Sequence, residues 1–234
     1  LFISTGADKW NDPKTYPFTV PLYPSYTMEA KVAARYILQT KPDAKIGVLF
    51  QNDDFGKDYL KGLKDGLGDK AATMIVKEAP YEVGSPTLDS QMIALKQSGA
   101  DVFFCITVPK FGAQAIRKAF DSGWKPLHIV NNVSASVGSV LTPAGLDKSV
   151  GLLTLQYYKD PNDPQWKDDP AMLDDLALRF DLDRGRTLAL GDREIDLQAG
   201  QAAGMRTCLF GSADTTIQPD FTIQHHAELL PLLA

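Results

Sequence analysis

Segments with the pattern of β-strands alternate with helix-like segments along the whole chain, and this alternation limits the fold more than any other feature. Residues 102–106 (VFFCI) are entirely apolar, as expected for a strand at the centre of a parallel sheet that helices cover on both faces. Residues 45–51 have a similar pattern and precede a helix-like segment that ends at Gly68. The sequence therefore predicts an α/β fold built on a mostly parallel sheet.

The type of basic residue changes abruptly near residue 170. Seventeen lysines and two arginines precede Ala171, whereas the rest of the chain contains five arginines and no lysine. Lysine and arginine are both tolerated on an exposed helix face. A chain of one evolutionary origin therefore has little reason to switch abruptly from lysine to arginine. The change indicates either chance over a short stretch or a junction of two sequences of different origin near residues 169–172. The motifs on the two sides favour the junction.

Composition narrows the classes of partner. The formal net charge is -5 and no basic stripe is present, which argues against a nucleic-acid partner. No apolar run approaches the roughly 20 residues that cross a bilayer, so no membrane partner is expected. Cys105 and Cys208 lie in apolar, strand-like runs and are predicted to be buried, reduced thiols. The chain starts at Leu1 without a signal-peptide pattern, and we interpret it as a mature form, a fragment or a trimmed chain.

Three segments of the first part carry a family resemblance: residues 45–67 (KIGVLFQNDDFGKDYLKGLKDGL), residues 98–124 and residues 151–166. They resemble the second lobe of solute-binding proteins of branched-chain amino acid ABC transporters, a periplasmic type I family. The resemblance covers residues 1 to about 170 and implies a Rossmann-like lobe. In that family two such lobes close on a ligand across a hinge, and here only one crossing strand, LFIST, precedes the second lobe.

The same resemblance places ligand contacts near Phe55, Val108 and Asn132, at the C-terminal ends of strands. Amino-acid binders of the family commonly have two aromatic residues and one acid at these positions, and the acid meets the ligand's ammonium group. Val108 and Asn132 depart from that pattern, which implies an apolar or aromatic carboxylate ligand rather than an amino acid. Phe55 is alternatively a packing residue at the start of a helix.

The second part has a different resemblance, carried by residues 188–211 (LALGDREIDLQAGQAAGMRTCLFG). An apolar strand, a Gly-Asp pair and a second Asp four residues later are similar to the C-terminal segment of haloacid-dehalogenase-type phosphatases. The resemblance implies that Asp192 and Asp196 help to hold Mg²⁺, which prefers oxygen ligands. Alternatively, both are first-turn acids that interact favourably with a helix dipole and need no metal.

The other catalytic residues of such phosphatases are mostly missing. Asp181-Leu182-Asp183 has the spacing of the nucleophile motif but is predicted to form a turn before a strand. Ser4 and Gly6 stand where the two aspartates would be if the segment LFIST replaced the phosphatase first strand. Lys167 keeps the register of the family's phosphate-contacting lysine, although a solvated loop lysine is the alternative. The sequence therefore predicts no catalysis and, at most, weak Mg²⁺ binding.

These observations predict two α/β units. The predicted domains are a solute-binding lobe over residues 16–160, a junction over residues 161–170, and a phosphatase-like half domain of residues 1–5 and 171–234. In the half domain, residues 1–4 are expected to pair with the strands predicted at 187–190, 206–210 and 221–223.

Four functional hypotheses remain open. We favour an engineered or recombined chimera of two Rossmann-like fragments without retained catalysis. The alternatives are a small-molecule solute-binding protein for an amino acid or an aromatic carboxylate, a Mg²⁺-dependent phosphatase, and a natural two-domain protein. Oligomeric state and localisation are not predicted.

Overall fold

The computed structural model describes residues 2–3, 5–21, 23–157, 181–192, 194–212 and 215–232. The chain divides into two compact units, Leu1–Tyr158 and Lys159–Ala234. Every strand pairing within the described residues is parallel, which confirms the predicted α/β class. The predicted junction at residues 161–170 lies outside the described residues.

The first unit contains a two-stranded and a five-stranded sheet. Its strands are β1 (Phe2–Ile3), β2 (Val20–Pro21), β3 (Ile46–Gln51), β4 (Ile75–Tyr81), β5 (Val102–Ile106), β6 (Leu127–Val130) and β7 (Leu153–Thr154). Its α-helices are α1 (Tyr26–Thr40), α2 (Asp54–Leu67), α3 (Ala71–Met74), α4 (Asp89–Gln97), α5 (Pro109–Asp121) and α6 (Thr142–Ala144). Short 3-10 or π-helical turns occupy Asp8–Asn11, Gly68–Lys70, Asn132–Ser134, Val137–Leu141 and Asp147–Ser149.

The larger sheet has the strand order β4-β3-β5-β6-β7, so β3 and β5 lie inside it. Every residue of β3 and β5 is buried, which follows from their apolar sequences. Side chains alternate between the two faces of a strand, so Val48 and Phe104 enter the core on the α1/α2 side. Leu49 and Phe103 enter the core on the α4/α5 side. The prediction that residues 102–106 form a central strand is confirmed.

Helices α1 and α2 approach each other closely at two glycines. A Cβ atom at Gly62 would lie 2.4 Å from the carbonyl oxygen of Thr27, and one at Gly66 would lie 2.6 Å from the Cβ of Ala34. Glycine has no Cβ, so these positions let the two helix backbones pack together. This packing brings the first turns of α1 and the middle of α2 to one end of the sheet.

The prediction that residues 1–4 join the smaller sheet is wrong. Phe2–Ile3 pairs in parallel with Val20–Pro21 within the first unit. Just beyond this pair, the Gly6 carbonyl accepts a hydrogen bond from the Tyr26 backbone N–H at 2.8 Å, which ties the segment to the start of α1. The described strands of the smaller sheet do not pair with this segment, so the structure does not bring Gly6 to the position of the second phosphatase aspartate. Ser4 lies outside the described residues.

The second unit contains a smaller parallel sheet of three described strands. Its elements are a 3-10 turn (Arg184–Arg186), β8 (Leu188–Gly191), α7 (Glu194–Ala202), β9 (Arg206–Phe210), β10 (Phe221–Ile223) and a 3-10 helix (His226–Leu232). The strand order is β10-β9-β8. The last described helix is 3-10, and Pro231, which supplies no backbone N–H, lies inside it.

The thiols of Cys105 and Cys208 are buried and unpaired, as predicted. Burial raises the pKa of the Cys105 thiol to about 12, so it stays protonated near neutral pH. No helix within the described residues has the length and apolar character needed to span a bilayer.

We expect Asp53→Ala to lower the free energy of unfolding by about 1 kcal/mol, the usual loss for an N-cap residue. The Asp53 carboxylate caps α2 by accepting the Gly56 backbone N–H at 3.1 Å, and it also accepts the Gln51 side-chain amide at 2.6 Å. Urea unfolding followed by circular dichroism measures the loss.

The matched control is Asp54→Ala. Asp54 is exposed and forms a 3.7 Å ion pair with Lys9, so its removal should cost at most half as much. Equal losses in the two variants would show that Asp53 is not the effective cap.

Candidate functional site

A pocket of about 290 Å³ lies at the carboxyl end of the five-stranded sheet, beside the first turns of α1. Open parallel sheets usually bind ligands at this end. The pocket is lined by four tyrosines, one acid and three further residues: Tyr23, Tyr26, Tyr59, Tyr157, Glu29, Pro24, Asn132 and Val133.

The tyrosine rings are held by contacts with one another and with Phe55. Tyr26 stacks on Tyr59 with ring centroids 4.9 Å apart, and Phe55 packs edge-on against both at 5.1 and 5.4 Å. Tyr23 packs on Tyr157 at 5.5 Å. Such tilted and offset pairs are the favourable arrangements for aromatic rings. The lining therefore contains two ring groups, each held by its own ring contacts.

Glu29 supplies the carboxylate of the pocket. It belongs to α1, and only 6% of its surface is exposed. Its Oε2 atom accepts a hydrogen bond from the Tyr59 hydroxyl at 2.6 Å, and its Oε1 atom accepts the Asn132 backbone N–H at 2.8 Å. The carboxylate therefore links α1, α2 and the turn that follows β6.

The environment shifts the proton affinity of this pair. Burial raises the pKa of Glu29, and the hydrogen bonds from Tyr59 and Asn132 reduce that rise. Burial and the neighbouring Glu29 carboxylate raise the pKa of Tyr59 well above its ordinary value. Tyr59 thus remains protonated at neutral pH and donates its hydrogen to Glu29.

The side chain of Asn132 faces the segment that follows β7. Its Nδ2 atom donates to the Leu155 carbonyl oxygen at 3.1 Å and to Oε1 of Gln156 at 2.7 Å. The preceding residue, Asn131, accepts the Thr107 backbone N–H at 3.0 Å. These bonds fix the turn after β6 relative to the ends of β5 and β7.

The structure does not bring all three predicted ligand contacts to this pocket. Asn132 lines the pocket, and Phe55 lies behind two of its tyrosines. Val108 is not part of this lining. It precedes α5, and its backbone N–H donates to the Tyr81 hydroxyl oxygen at 3.3 Å. The structure thus brings Phe55 and Asn132 to one pocket, whereas Val108 lies at another strand end.

Sequence analysis missed Glu29 and the four tyrosines. One usable signal was present, because Glu29 lies four residues before Ala33 and eight before Ile37, on the buried face of α1. A carboxylate among buried positions is costly unless it has partners, which marks it as a residue with a specific role.

A second cluster follows β8 in the smaller unit. Asp192 comes directly after the strand, and Asp196 lies in the first turn of α7. A Cβ atom at Gly191 would lie 2.1 Å from the Cβ of Asp196, so glycine is needed for the Asp196 side chain to lie across the strand end. Within the described residues, no three His, Cys, Asp or Glu side chains are grouped to hold a metal ion. The Mg²⁺ site stays a prediction, and Lys167 lies outside the described residues.

Substitution of Glu29 by Gln should change how stability depends on pH. Because burial raises the folded-state pKa above the ordinary 4.5, protonation of Glu29 favours the folded state. The contribution of Glu29 to the unfolding free energy is therefore largest below pH 4.5 and falls as the pH rises through the folded-state pKa. The substituted amide cannot ionise, so the stability difference should move in favour of Glu29→Gln between pH 4 and pH 7.

Urea unfolding at several pH values measures this trend, and Glu82→Gln, at an exposed carboxylate, is the control. A constant difference between native chain and Glu29→Gln across the range would contradict the assigned shift.

Two family models match the sequence and overlap near the predicted junction. The periplasmic binding protein model matches residues 1–186, and the HAD-hydrolase-like model matches residues 167–229. Both halves of the predicted resemblance are therefore confirmed. The overlap, residues 167–186, includes the point at which lysine gives way to arginine.

One curated protein and several solved structures are similar to the chain. A D-glycero-beta-D-manno-heptose-1,7-bisphosphate 7-phosphatase of Mesorhizobium japonicum is 32% identical over 111 residues, which is 46% of this chain and 49% of that protein. The chain thus spans about half the length of this relative.

Among the solved structures, a substrate-binding periplasmic protein from Ralstonia solanacearum is 25% identical with a TM-score of 0.55, covering 63% of this chain and 40% of the other. A branched chain amino acid ABC transporter protein from Thermus thermophilus with bound valine is 17% identical with a TM-score of 0.61, covering 87% and 50%. The Thermus protein shows the shared fold. With the family model matching most of its length, the chain belongs to the periplasmic binding protein family.

Proposed function

We propose that the first unit binds a small organic solute in the tyrosine-lined pocket and that the second unit adds no catalysis. The observation that carries this proposal is a pocket of about 290 Å³ at the carboxyl end of a parallel sheet, with its acid and rings held by hydrogen bonds and ring packing. Its volume is near the lower end of the range for ligand sites, about 300 Å³, and suits a solute of amino-acid size.

The solved structures support a ligand of this size. The Thermus protein holds valine, and a Rhodopseudomonas palustris solute-binding protein of 14% identity and TM-score 0.52 is in complex with 4-hydroxybenzoate. The described pocket lies within one unit. This chain covers 50% and 38% of those two proteins.

We also propose that the chain joins two sequences of separate origin near residues 169–172. The overlap of two different family models and the change from lysine to arginine within that overlap support this proposal. Sequencing of genomic DNA across the junction tests it. A single uninterrupted reading frame in several related genomes would instead favour a natural two-domain protein.

The position of the only Asp-x-Asp pattern in the described residues supports the proposed absence of catalysis. Asp181 has a left-handed backbone, with φ of 50°, and Asp183 precedes the 3-10 turn at Arg184–Arg186. The pattern therefore lies in a turn before β8 rather than at the end of a strand, where a nucleophile could meet Asp192 and Asp196.

Tyr157→Ala should weaken solute binding by about tenfold or more, because its ring lines the pocket and packs against Tyr23, and aromatic side chains at such contacts often carry much of the binding energy. Titration calorimetry of the full chain with choline, valine and 4-hydroxybenzoate measures the affinities. Tyr36→Ala is the matched control, since Tyr36 is an exposed tyrosine of α1 outside this lining. If Tyr157→Ala bound the solutes as tightly as Tyr36→Ala, the solutes would bind outside the tyrosine-lined pocket.

The full chain should release no phosphate from p-nitrophenyl phosphate or from a sugar bisphosphate in the presence of Mg²⁺. A colorimetric phosphate assay with and without EDTA measures this, and Asp192→Asn should leave the background rate unchanged. Release that depends on Mg²⁺ and is lost in Asp192→Asn would overturn the proposal and restore the phosphatase hypothesis.

A further inference from the structure

We propose that the tyrosine-lined pocket selects small organic ammonium ions, with the positive charge placed against Glu29 and the surrounding tyrosine rings. This inference rests on the proposed solute-binding function and specifies the charge of the ligand. It differs from the aromatic carboxylate expected from Val108 and Asn132, because it starts from the residues that line the pocket.

The charges of the lining residues favour a cation. Its residues include one carboxylic acid and no lysine, arginine or histidine. Tyrosine hydroxyls are neutral near pH 7, since phenols ionise near pH 10. A ligand carboxylate would therefore face the charge of Glu29 without a cationic partner in this lining, whereas an ammonium ion would meet an opposite charge.

Glu29 is also incompletely compensated. It accepts two hydrogen bonds, but within the described part of the chain it has no ion pair with a lysine, arginine or histidine. A buried charge is costly unless it is paired as well as hydrogen-bonded. A bound cation would provide the missing partner. Burial raises the pKa of Glu29, and a cation bound beside the carboxylate would favour its ionised form.

The tyrosines add a second attraction for the same ligand class. Aromatic rings attract cations through their electron-rich faces, and sites for quaternary ammonium groups combine several such rings. Tyr59 is fully buried, so the other lining rings carry this attraction around the volume of about 290 Å³. They are Tyr23, Tyr26 and Tyr157.

The test compares choline with its neutral isostere 3,3-dimethyl-1-butanol, in which carbon replaces the charged nitrogen. The two have nearly the same shape, so a difference in affinity reports the charge alone. Calorimetry of the full chain at pH 7.5 should show choline binding at least about tenfold more tightly, equivalent to about 1.4 kcal/mol. Equal binding, or tighter binding of the isostere, would overturn the inference.

A substitution of Glu29 tests whether this carboxylate causes the preference for choline over its isostere. In Glu29→Gln the choline preference should fall to within about twofold, because the neutral amide removes most of the electrostatic attraction. Glu82→Gln removes the same net charge at an exposed site outside the lining and should keep the preference. A preference that survives Glu29→Gln would refute the role of this carboxylate. The isostere comparison on the unsubstituted chain needs no variant and stands if Glu29→Gln does not fold.

Valine and 4-hydroxybenzoate separate this inference from the proposed function. Binding of either one without a choline preference would overturn the ammonium inference and leave solute binding in place. Failure of all four compounds to bind at millimolar concentration would overturn both.

Discussion

The two hydrogen bonds of the Glu29 carboxylate are the interaction on which the candidate site depends. One joins α1 to Tyr59 of α2, and the other joins α1 to the turn at Asn132. Each partner also contributes to the pocket, so the bonds that satisfy a buried acid also set the distances across the pocket. Loss of either partner would leave a buried acceptor unsatisfied, which usually costs more than the bond itself contributes.

The site is supported by the core of the first unit. β3 and β5 are buried on both faces, and their ends position the loops that lead to α2 and α5. Within the described residues of the smaller unit, one buried apolar cluster contains Ala203 and Met205, with Ala189 packed against them.

Sequence patterns predicted the central strands well because their apolar runs depend little on distant contacts. Val102–Ile106 and Arg206–Phe210 were predicted within their observed bounds. The first strand was assigned to the wrong sheet. Its observed pairing involves only two residues, together with one backbone hydrogen bond to Tyr26, and so short a pairing leaves no pattern in the sequence. Of the site, Asn132 was predicted from a family resemblance. Glu29 and Tyr59 lie 30 residues apart and meet only when α1 packs on α2.

The close contact at Gly62 and Gly66 has a mechanical consequence for the first unit. These glycines are four residues apart, so each lies one helical turn from the other on the face of α2 that meets α1. If α2 slid by one turn so that Gly62 took the place of Gly66, Asp58 would take the place of Gly62 against the backbone of α1. The two helices are therefore locked in register, and the spacing between Tyr59 and Glu29 is set before any ligand arrives. Such a pocket selects solutes by the shape and charge it already has, rather than by a sliding movement of its walls.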